Sequence, residues 1–265
     1  AIQMLKSESL GIAQVYTRHF AEGDPLLEVL ESPFLFRDEA HVTNFIKSEV
    51  GKRILERLQK QGIRGLAFTY SGGFQGLLSG QKLDFTSENL FPKKTVRSEG
   101  ITSFMSKALG FIPRDFSPDR LAVGGNLHLI GTGKVDFTPG TCADVEFAYE
   151  GYNDQKRLHY YSTNHSVLFT FIAMKESVYQ SLPKEYQVAL EKAANEAADA
   201  ERAAIVQDCE STEMKLNKGE IKHPRISFHP LTAEQKEKMK TLFSKAYASY
   251  SKEQMELVNQ IRAIQ

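Results

Sequence analysis

Residues Lys184 to Lys218 carry one unbroken helical pattern, rich in Ala and Glu and stopped by Gly219. At ~1.5 Å per residue such a helix runs about 50 Å, longer than a small domain is wide. A helix of that length is expected to bridge two lobes. Ahead of it, strand patterns alternate with helical ones, which indicates an α/β protein with mainly parallel or mixed sheets.

The local signals place the remaining elements. Ala1 to Ser9 reads as the end of a helix and Ile12 to Thr17 as a short strand. Asp24 caps a short helix to Leu30, with Pro25 in its first turn. Asp38 caps a longer helix that runs to Gln61 and stops at Gly62. Ile63 to Tyr70 is a strand ended by a flexible Ser71-Gly72-Gly73 turn. Short strands follow at Leu83 to Phe85 and Lys94 to Glu99, with a helix from Ile101 to Leu109. Pro118 to Gly133 reads as a helix interrupted by a loop, and Val135 to Phe137 as a strand-like step. Leu158 to Thr163 and Val167 to Met174 read as two consecutive strands. Beyond the long helix come a strand at Ile226 to Phe228, a helix from Thr232 to Tyr250 with Gln235 completing a capping box, and a closing helix from Glu253 to Ile264.

Composition excludes several classes. Thirty-three basic and thirty-three acidic residues cancel in a chain of 265 residues. A nucleic-acid binder would carry a basic excess. No apolar run approaches the ~20 residues of a membrane span. The two cysteines, Cys142 and Cys209, lie far apart without metal-ligand spacing, so no metal site is expected. They are either two buried free thiols or one disulfide of an oxidising compartment. The opening Ala1-Ile2-Gln3-Met4-Leu5-Lys6 reads as mid-helix, so the chain is expected to start inside a longer or processed protein.

Arg97 is the residue with the clearest chemistry. It ends an alternating stretch, Lys94-Thr95-Val96-Arg97, just before an amphipathic helical pattern. A guanidinium so placed can hold a carboxylate with two parallel hydrogen bonds. Seven histidines and many carboxylates are present, yet none sits in a nucleophile elbow, a His-Glu-x-x-His or a phosphate-cradling loop. The chain is therefore not expected to be an enzyme.

Six blocks in order resemble the DctP-type substrate-binding subunits of tripartite ATP-independent periplasmic (TRAP) transporters. They are Leu30 to His41 (LESPFLFRDEAH), Lys94 to Arg97, Ala108 to Pro113, Gly133 to Asp136, Thr163-Asn164-His165, and Leu182 to Gln187 with its following alanines. The resemblance implies two periplasmic-binding-protein-like lobes with mixed sheets, joined by crossing strands and the long helix, with a ligand cleft between them. It divides the chain into an N-terminally incomplete first lobe (1–93), a mainly second-lobe segment (94–175) and the bridging and C-terminal helices (176–265). Departures matter as well. Elements that usually open the first lobe are not in the given chain, a usual Asn is absent from Phe137 to Thr141, and a second ligand arginine falls at Phe74.

The resemblance further implies a bacterial periplasmic location, a small organic acid as ligand, delivery to a TRAP membrane permease, and no cofactor. Arg97 would pair with the ligand carboxylate, and Phe116 would be an aromatic platform. Tyr16 and His19, with Arg18 between them, would line the cleft from the first lobe. Tyr70 and Phe74 flank the glycine turn, and Gly140 and Thr141 replace the lost Asn position. One cation among aromatics suits a monocarboxylate with an apolar body. The alternative on the same fold is a lipophilic-ligand or partner-docking protein working with a periplasmic helical-repeat partner.

Overall fold

The computed structural model describes residues 1–85, 87, 90–97, 108–114, 125–145, 157–220 and 225–265. Two compact units emerge: Ala1–Gly73 with Val167–Val206 and Ser251–Gln265, and Phe74–Ser166 with Gln207–Tyr250. The expected helix from Ile101, the start of the Pro118 segment and Phe116 lie mostly or wholly outside the described residues.

In the first unit, α1 (Ile2–Lys6) leads into β1 (Ile12–Tyr16). Asp24 caps a 3-10 helix, Pro25–Glu31, accepting from the Leu26 N–H at 3.2 Å. The expected helix from Asp38 to Gln61 is two helices, α2 (Glu39–Lys47) and α3 (Glu49–Arg57), then a 3-10 turn. Ser48 makes the break. Its hydroxyl accepts from the Gly51 N–H, capping α3, and donates to the Phe45 carbonyl, closing α2. The apolar period continues across it, which is why the sequence reads as one helix.

The strands β2 (Ile63–Ser79) and β6 (Leu158–Lys175) are 17 and 18 residues long. Ser71-Gly72-Gly73 is thus not a turn, and the two strands expected between Leu158 and Met174 are one. Both strands contain left-handed backbone where the chain passes from one unit to the other: Gly72 and Gly73 (φ +89° and +74°) in β2, Asn164 (φ +48°) in β6. A glycine pair adopts that conformation without steric cost, and Asn tolerates it. Rings from both strands form the first unit's core: Phe68 stands 5.1 Å from Phe171, 5.6 Å from Phe169 and 5.5 Å from Phe45 on α2.

The mixed sheet has the order β1-β6-β2-β5-β3-β4, with β7 (Ile226–His229) beside β6. Here β3 is Thr95–Arg97, β4 is Ile112–Arg114 and β5 is Phe137–Gly140, preceded by α4 (Gly125–Gly131). β1 and β5 run antiparallel to their long neighbours, whereas β3 is parallel to both β4 and β5. Leu83 to Phe85 forms no strand. In the second unit Phe111 packs 4.9 Å from Phe137 and 5.0 Å from Phe91, and Phe91 packs 5.5 Å from Phe243.

After α5 (Glu176–Ser181) comes the long helix α6, Lys184–Lys218, 35 residues with the boundaries its periodicity predicts. Ala194 and Ala198, one turn apart, are buried with Leu66, Ala67 and Met174. α7 (Ala233–Ser244) carries the expected capping box and ends in a 3-10 turn where one helix to Tyr250 was expected; α8 (Lys252–Arg262) follows.

Candidate functional site

Arg97 lies in the second unit, on β3. Val96 is fully buried, so Thr95 and Arg97 face the other side of β3, where Arg97 is half-buried. In the parallel ladder Thr95 is opposite Ile112 and Arg97 is opposite Arg114. Thr95 is anchored by Asp136, whose carboxylate accepts from its N–H and its hydroxyl, each at 2.7 Å.

At the end of β5, Gly140 is pressed against β2: a Cβ there would lie 2.2 Å from Leu78 Cδ1 and 3.3 Å from Asp144 Oδ2. Thr141 is buried, and its N–H donates to Asp144 Oδ2 at 2.8 Å. Burial raises the Asp144 carboxyl above its usual range, opposed by the two Thr141 donors and by the charge of Arg97. Cys142 is joined to Cys209 on the long helix. The free-thiol alternative is overturned, and Cys142 is a tether. Phe74 is half-buried on β2, next to buried Gln75, whose amide oxygen accepts from Ser166 Oγ at 2.9 Å.

The first unit gathers Tyr16, Arg18 and His19. The Arg18 guanidinium lies 4.6 Å from the Tyr16 ring centroid and the His19 ring 5.5 Å away, edge-on. The Tyr16 hydroxyl is bonded to Ser71 Oγ at 3.0 Å. Arg18 Nη1 stands 3.9 Å from the Glu31 carboxylate, and its enclosed Nε and Nη1 have no hydrogen-bond acceptor among the described residues. Burial raises the Glu31 carboxyl, with Arg18 and the Thr17 hydroxyl opposing. His19 is exposed. Tyr70 is buried, and its hydroxyl donates to Glu39 Oε2 at 2.6 Å.

Sequence reasoning missed Arg114 and Asp144. Thr141 and Asp144 stand three residues apart, the spacing of a helix-start motif, and that signal was available. Nothing local marks Arg114, because its meaning comes from register. Among the described residues, no group of three or more His, Cys, Asp or Glu could hold a metal ion, and no helix is long and apolar enough to cross a membrane.

The family model described as bacterial extracellular solute-binding protein, family 7 (DctP) matches residues 1–254. The chain belongs to this family. Its members are solute-binding proteins of transport systems, not enzymes. The C4-dicarboxylate-binding periplasmic protein DctP of Rhodobacter capsulatus is 26% identical over 236 residues, 88% of this chain and 67% of that protein. An uncharacterized Haemophilus influenzae protein is 27% identical over 226 residues, 82% of this chain and 64% of its own length. The chain therefore spans about two thirds of these relatives.

Solved structures share the fold. A TRAP periplasmic solute-binding protein from Sulfurospirillum deleyianum with bound succinate superposes with a TM-score of 0.82 at 22% identity, over 100% of this chain and 83% of the other. One from Ralstonia eutropha with bound (S)-2-acetolactate gives 0.81 at 16% identity, over 99% and 82%. The DctP-type chain thus has the two-lobe α/β architecture with a mixed sheet that its motifs imply.

Proposed function

We propose that this DctP-type chain captures an organic acid outside the cytoplasm and delivers it to a TRAP membrane permease, with Arg97 as the group that holds the carboxylate. The observation that carries the reading is the position of Arg97 at the C-terminal end of a parallel strand, half-buried, with polar Thr95 on the same face. A guanidinium there offers two parallel donors, and partial desolvation strengthens a charge-assisted pair.

The ligand in this reading is a monocarboxylate with an apolar body. Phe74 and Gly140 bring no charge to their positions, and Ile112 adds an apolar side chain on the Arg97 face, 42% exposed. The acetolactate held by the Ralstonia eutropha protein is a monocarboxylate, whereas the Rhodobacter capsulatus relative is named for C4-dicarboxylates.

The test is calorimetry of wild type and Arg97→Ala against succinate, acetolactate and pantoate, with native mass spectrometry of any acid carried through purification. The proposal expects a small acid to bind wild type and to lose at least about tenfold in affinity in the variant. Equal affinity in both proteins removes Arg97 from the mechanism. A co-purified fatty acid would instead favour the lipophilic-ligand reading.

A further inference from the structure

We propose that Arg114 is a second ligand-binding residue, and that Arg97 and Arg114 together hold one carboxylate between them. The inference rests on the reading that Arg97 meets the solute's carboxylate.

The argument starts from register. β3 and β4 are parallel, and Arg97 and Arg114 are Cα partners in the ladder. Partner residues on neighbouring strands project to the same face, about 4.8 Å apart at the backbone. The two arginine side chains therefore leave neighbouring strands on the same face. Like charges directly opposite in a sheet destabilise it. An anion held between them at the ends of the two parallel strands relieves that cost.

The neighbouring groups define what that anion is. Thr95 and Ile112, the preceding partners on the same face, supply a hydroxyl committed to Asp136 and an exposed apolar side chain. Asp144 is the carboxylate whose charge couples to Arg97. A carboxylate with an apolar substituent over Ile112 fits these neighbours.

Arg114 is exposed, as are the other two β4 residues. Its replacement therefore leaves the packing of β3 and β5 in place. That separates a binding role from a structural one.

The experiment follows the arginine Nε–H resonances by NMR while acetate is added to wild type, Arg97→Gln, Arg114→Gln and Arg114→Lys. Two Nε–H signals of wild type are expected to move with one shared dissociation constant, each identified by its loss in the matching variant. Arg114→Gln should weaken the acetate response of Arg97 about tenfold or more. Arg114→Lys should fall between, since it keeps the charge but loses the planar fork. An unchanged Arg97 titration in Arg114→Gln overturns the shared grip and leaves Arg97 as sole anchor. A wild-type protein whose Arg97 signal ignores acetate overturns both readings.

Discussion

Cys142 is bonded to Cys209, 67 positions later, and so ties the turn that follows Thr141 to the long helix. The link joins two residues of the second unit and closes a long loop, and closing a long loop removes entropy from the unfolded chain. It also holds the backbone next to the Thr141–Asp144 bond. Cys209→Ser should cost about 2–5 kcal/mol by chemical denaturation. Reductant should destabilise wild type to a similar extent and leave the variant unmoved. Coincident denaturation curves for oxidised and reduced wild type would show that the bond contributes nothing.

Gly140 is a packing requirement. Its absent Cβ would meet Leu78 Cδ1 at 2.2 Å, well inside contact distance. Leu78 is completely buried with Ile130, Val135 and Tyr160, so its side chain has little room to withdraw. Gly140→Ala should destabilise by about 1–3 kcal/mol, the usual range for overpacking. Trimming the neighbour in Gly140→Ala/Leu78→Val should recover part of that loss, although Leu78→Val alone is itself destabilising. A double variant no more stable than the sum of the singles would rule out the predicted steric conflict.

The elements that could be read from the chain alone are those whose signals are local. The long helix announces itself by period and by its Gly219 stop, which has φ +67°. Gly62 ends the earlier helical run in the same left-handed conformation, and Thr232 with Gln235 forms the capping box its spacing promises. Errors arose where a local signal was answered by a distant partner. Gly72 and Gly73 look like a turn because glycines with positive φ are turn formers. Here flanking strand partners keep β2 continuous. The site divides in the same way. Arg97 stands out as a cation in an alternating strand, but its pairing with Arg114 exists only once β3 and β4 lie in register.

Asp24 combines two roles that a single substitution removes together. One carboxylate oxygen caps the 3-10 helix at Leu26, and both oxygens meet the Arg57 guanidinium, at 2.5 Å to Nε and 2.9 Å to Nη2. Asp24 is 6% exposed, so its loss leaves a partly enclosed cation beside an uncapped helix end. Asp24→Ala should cost about 2–4 kcal/mol by urea denaturation, from the cap and the broken pair together. Asp24→Asn keeps an acceptor for the Leu26 N–H and should lose less. Equal losses in the two variants would assign the whole effect to the charge pair.

Acid stability should depend on His165. The residue is 0% exposed, its Nδ1 is bonded to Thr163 Oγ1 at 2.8 Å, and its ring lies 5.4 Å from Phe243. Burial lowers its pKa to about 3, with a backbone bond to Gln75 acting weakly the other way. The unfolded chain binds a proton at this histidine near the ordinary value of about 6.5, which the folded chain refuses until about pH 3. Between those values the unfolded state holds more protons, so stability is fully present above about pH 6.5 and declines as pH falls. The slope from this one group approaches about 1.4 kcal/mol per pH unit. Glu31 and Asp144, both raised by burial, act with the opposite sign: in the folded chain they take up protons above the pH at which the unfolded carboxylates do, and so offset part of the loss. Comparing wild type with His165→Gln from pH 6.5 to 5 cancels that offset and isolates this histidine. His159, lowered to about 4 by burial and then by its neighbour His229, adds to the slope there. His165→Gln should be less stable than wild type at pH 7.5, where the native imidazole is already neutral, and show a shallower fall towards pH 5. Denaturation curves across that range with parallel slopes for the two proteins would mean that His165 takes up its proton as readily in the folded state as in the unfolded one.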